Sequence, residues 1–76
     1  MSQELKETLV SLIDGLKSEI EEINEDIARL SLRAENTKKV KELNAINEEL
    51  EDLDEELRED LQELKSLIKR YKKLSK

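Results

Sequence analysis

The chain has 76 residues, 45% of them charged, and a formal net charge of -6; it contains no Cys, His or Pro, one Gly and a single aromatic, Tyr71. Such a composition belongs to coiled coils and long helices, and it excludes disulfides, thiol nucleophiles and the common zinc sites, whose ligands are Cys and His. No segment approaches the roughly 18 to 20 apolar residues of a membrane span, and the first residues lack the basic and apolar regions of a secretion signal, so a soluble, cytoplasmic, single-domain protein is expected over residues 1–76.

The first predicted element is a helix over about residues 2–33. Ser2 is its expected N-cap, with Glu4 and Glu7 near its positive end. Large apolar residues fall at Leu5, Leu9, Leu12, Leu16, Ile20, Ile23, Ile27 and Leu30, spaced by three or four. This is the stripe of an amphipathic helix that packs on another. A second strip, Thr8, Ser11, Gly15 and Ser18, is small and uncharged. Gly15 costs about 1 kcal/mol relative to Ala inside a helix, which close approach of another helix would offset.

A turn is expected at about residues 34–37, with Asn36 or Thr37 capping the following helix, because their side chains compete for backbone hydrogen bonds. The second helix then covers about 38–74. Its stripe is Leu43, Ile46, Leu50, Leu53, Leu57, Leu61, Leu64 and Ile68, and its end carries Lys65, Lys69, Arg70, Lys72, Lys73 and Lys76, which complement the negative pole of the helix dipole.

The two stripes are mirror images: residue i of the first corresponds to residue 73 minus i of the second, so that Leu5 matches Ile68, Leu9 matches Leu64 and Leu30 matches Leu43. The doubled spacing of four, Leu12 to Leu16 to Ile20, recurs at the mirrored place, Leu53 to Leu57 to Leu61. An unbroken helix in an antiparallel dimer would show the same mirror. Phase decides against it. Extending the first stripe leads to Lys41 where the second stripe has Leu43, and two extra residues at about 100° each would put the halves on opposite faces of one helix. The expected fold is therefore all-α: an antiparallel two-helix coiled-coil hairpin whose seam consists of those sixteen residues.

Beyond the seam, the surplus apolar residues gather at the open end, with only Leu32 and Val40 near the turn. Val10, Ile13, Leu67, Tyr71 and Leu74, together with Gly15, are the candidate self-association interface, and the expected product is a homodimer forming a four-helix bundle. Asp60, the mirror of Ile13, is expected near the surface because Leu61 takes the seam position. Asn24, Asn44 and Asn47 flank the stripe as solvated residues.

Charge segregation permits other readings. Residues 48 to 63 carry ten acidic side chains and one basic one, while residues 65 to 76 carry six basic and none acidic. Scattered carboxylates bind metal weakly, no calcium-loop spacing occurs, and paired carboxylates act as acid and base only in a cleft that separates their pKa values. No metal, cofactor or catalytic residue is therefore expected, and the chain is not expected to be an enzyme. The leading reading is a structural or protein-interaction module whose partner is itself or another helical protein. The alternative is a small acidic inhibitor, or nucleic-acid mimic, that binds a basic partner surface. A basic C-terminal tether to nucleic acid or membrane, and a designed hairpin with no natural function, rank below these.

Overall fold

A computed structural model describes the backbone of residues 2 to 74 and the side chains of residues 3 to 74. The expected Ser2 cap and the basic Lys76 lie outside these described side chains. Helix α1 spans Ser2–Asn36 and helix α2 spans Val40–Leu74, 35 residues each, and they pack against one another. The longest dimension is 57 Å, with 14 and 13 Å across. A single helix of this many residues would be about 110 Å long at 1.5 Å per residue. The backbone therefore reverses, and the molecule is an all-α hairpin. Neither helix is long and apolar enough to cross a membrane.

The reversal falls later than expected, at residues 37–39, because α1 continues through Ala34, Glu35 and Asn36. Asn36 and Thr37 are not the N-cap of α2. Instead the Lys39 carbonyl accepts the first bond of the helix, from the Leu43 N–H at 3.0 Å. Thr37 acts from two residues upstream: its Oγ1 accepts from the Lys39 N–H at 3.4 Å and donates to the Glu42 carboxylate. Glu42 thereby holds the loop while placing negative charge in the first turn of α2, the function a capping box performs with its hydroxyl two positions closer in. No described residue has a positive φ, so this loop forms without Gly.

The seam follows strict heptads. On α1 the buried Leu9, Leu16, Ile23 and Leu30 alternate with half-buried Ile13, Ile20, Ile27 and Ala34. On α2 the sequence of inward positions is Leu43, Ile46, Leu50, Leu53, Leu57, Asp60, Leu64, Leu67, Tyr71 and Leu74. The doubled spacing of four is not used. Leu5, Leu12 and Leu61, expected in the seam, are exposed by 51, 51 and 43%, and Ile68 sits half-buried at the seam's edge.

Register differs in the same way. Leu67 packs with both Leu9 and Leu16, which stand two helical turns apart on α1, so Leu67 lies level with Ile13. Facing residues thus have numbers summing to about 80, one heptad more than the mirror at 73. In the mirror register, Tyr71 would face Ser2 and Leu74 would extend beyond α1. The heptad slip brings Tyr71 level with Leu9 and Leu74 level with Lys6, and places both against the cluster of Leu9, Leu16 and Leu67.

That gain has a cost at Asp60. The strict heptad carries this carboxylate into the seam, level with Ile20, and not to the surface position expected for it. It is half-buried, its Oδ2 is shut off from solvent, and no described group donates a hydrogen bond to that oxygen. No described side chain in the hairpin is fully buried. A core one side chain deep leaves both flanks of the seam available for further packing.

Candidate functional site

Each seam flank is a row of residues seven apart, just outside the inward positions. One flank carries Leu5, Leu12, Glu19, Asp26 and Arg33 of α1 beside Glu49, Glu56, Glu63 and Arg70 of α2. The other carries Val10, Lys17, Asn24 and Ser31 beside Val40, Asn47, Asp54, Leu61 and Ile68. In the loop half the flank of Asp26, Arg33 and Glu49 is charged, whereas the other flank is polar except for Val40 beside the turn, exposed by 70%. In the open half they carry four exposed apolar side chains, Leu5, Leu12 and Leu61, with Val10 at 42%; near the turn, Leu32 is exposed on the outer face of α1. Asn24, Asn44 and Asn47 are exposed.

The residues expected to mediate self-association separate into two groups. Ile13, Leu67, Tyr71 and Leu74 belong to the hairpin's own cluster with Leu9 and Leu16. Val10 and Gly15 remain open, and a Cβ on Gly15 would meet nothing within 4 Å. The apolar surface of the open half is therefore built by Leu5, Leu12, Leu61 and Val10. Three of these were expected in the seam.

In its open half, the flank carrying Leu5 and Leu12 has two adjoining shallow grooves. The one nearest the open end is lined by Leu5, Leu9 and Leu74 with Arg70 and Lys73. The next is lined by Ser11, Leu12, Gly15, Leu16 and Leu67 with Glu19 and Glu63. The first has cationic walls and the second anionic walls, both over an apolar floor.

Carboxylates crowd the inner groove. Glu19 is held above the ordinary carboxylate value, first by the charge of Asp60, then by partial desolvation and by Glu56, Glu63 and Glu22. Ionising it adds one more negative charge to a set that already repels itself. The two ion pairs found among described residues do not relieve this set. Arg29 pairs with Asp26, and Arg58 with Asp54 at 3.3 Å; both are local and exposed, so each contributes little.

Among the described residues no three carboxylates converge in a way that would hold a metal ion. What the surface can do chemically is bury leucine side chains against another apolar face, oriented by one cationic and one anionic patch. No protein-family model matches the chain, and neither a curated protein nor a solved structure matches it.

Proposed function

We propose that this chain is a non-enzymatic structural and protein-interaction module: a helical hairpin that associates with a second copy over its open half, forming a four-helix bundle there. The observation that carries this reading is the number of exposed apolar residues on the flanks of the open half, Leu5, Val10, Leu12 and Leu61, against Val40 alone on those of the loop half. A hairpin seam needs apolar residues only at its inward positions. Apolar residues on its flanks widen the face to what a bundle uses.

The test is solution mass by light scattering across protein concentration. The wild type reaches twice the monomer mass of 8.9 kDa, and the double variant Leu12→Lys with Leu61→Lys stays monomeric with unchanged helicity. A wild type that remains at the monomer mass up to millimolar concentration contradicts the reading.

A second reading draws on the crowded carboxylates around Glu19, Glu56, Asp60 and Glu63, which would suit a basic surface on a partner. It requires tight, strongly salt-dependent binding to a basic protein. Equal mass and no such binding across salt concentrations would leave the self-associating module alone.

A further inference from the structure

Resting on the self-association proposed above, we infer that the second copy docks antiparallel on the flank carrying Leu5 and Leu12, open end over open end, so that the cationic groove of each copy covers the anionic groove of the other.

Three arrangements of two hairpins can be compared. Side by side with loops at the same end, leucines meet leucines, but the acidic stretch faces the acidic stretch and the basic end faces the basic end. Side by side with loops at opposite ends, the open-half leucines fall against Asp26, Arg33 and Glu49 on the same flank of the partner's loop half. Offset, with only the open halves overlapping and the loops pointing away from each other, the leucines meet and the charges are complementary. Only this third arrangement satisfies both conditions.

The two grooves make the surface self-complementary, as a two-fold interface requires. At 1.5 Å per residue their centres lie about 12 Å apart along the rod. A two-fold axis between them falls beside Leu12, lays Arg70 and Lys73 over Glu19 and Glu63 of the other copy, and directs Leu5 toward the gap beside Gly15. The open space over Gly15 gives the approaching helix room.

The experiment is a charge exchange in the full chain. One variant carries Arg70→Glu and Lys73→Glu; the other carries Glu19→Lys and Glu63→Lys. Each variant alone should self-associate at least about tenfold more weakly than wild type, because both of its grooves now have one sign. Mixed in equal amounts, the two should recover wild-type dimer mass, since the first is wholly anionic and the second wholly cationic. Circular dichroism checks that each stays helical. X-ray scattering of the wild type supplies a measurement that needs no variant: the offset dimer is roughly 85 Å long, from two 57 Å rods sharing about 28 Å.

A wild-type dimer about 60 Å long overturns the inference, as does a variant that dimerises alone as well as wild type, or a mixture that does not associate. Each of those outcomes leaves self-association itself standing. A wild type that is monomeric throughout removes both.

Discussion

Asp60 is the one acidic residue at an inward position of either helix, and it stands beside Glu19, Glu56 and Glu63. A buried acceptor without a donor costs about 1 to 3 kcal/mol, and no described group compensates it. Asp60→Leu should therefore stabilise the hairpin by about that amount, raising Tm by about 4 to 8 °C per kcal/mol in a domain of this size. Thermal circular dichroism at low concentration measures it, and an unchanged or lower Tm would show that the carboxylate is satisfied. The neighbouring Glu19 adds a pH dependence whose sign follows from its raised value. The folded chain takes up this proton at a higher pH than the unfolded chain does. Stability therefore rises as pH falls through the folded value toward the ordinary one, and it is lost again on the way to neutrality. Because Asp60 is the largest cause, Asp60→Leu should shrink this acid stabilisation and lower the Glu19 midpoint read by carboxyl carbon NMR.

At the scale of the helices, the decisive quantity is register. Heptad patterns repeat every seven residues, so pairings that sum to 73 and 80 place nearly the same leucines in the seam. Methyl NOEs separate them. Leu67 should show contacts to both Leu9 and Leu16; in the register summing to 73 it lies about 15 Å from Leu16 and gives none. The sequence made the hairpin, the reversal near residue 37 and most of the seam legible, because apolar periodicity and the phase break at Lys41 are properties of the chain itself. The register was not legible, because choosing it meant accepting one carboxylate in the seam. A reading that keeps Asp60 out must route the stripe through Leu61 and double the spacing. A reading that admits Asp60 keeps strict heptads and packs Ile13, Leu67, Tyr71 and Leu74 inside the hairpin. Once those four are used internally, Leu5 and Leu12 are released to one flank, and Leu61 to the other beside Val10. The loop's Thr37 to Glu42 hydrogen bond was hidden too, since it spans five residues and not the three of a capping box.

For the whole molecule, the proposed self-association would link stability to assembly. A hairpin with a core one side chain deep is a marginal monomer, and association adds free energy by mass action only if it selects the folded form. At a hundred times the dissociation constant the gain is roughly 2.7 kcal/mol, so Tm should climb on the order of 10 °C between the dilute and the concentrated regime. The double variant Leu12→Lys with Leu61→Lys isolates the effect, because both side chains are about half exposed and outside the inward positions. Its dilute Tm should stay close to that of wild type, while its concentration dependence disappears. If instead the dilute Tm falls by as much as the concentrated one, these leucines stabilise the single hairpin and not an assembly of two. A loss confined to high concentration ties Leu12 and Leu61 to a second molecule, in keeping with their position outside the seam.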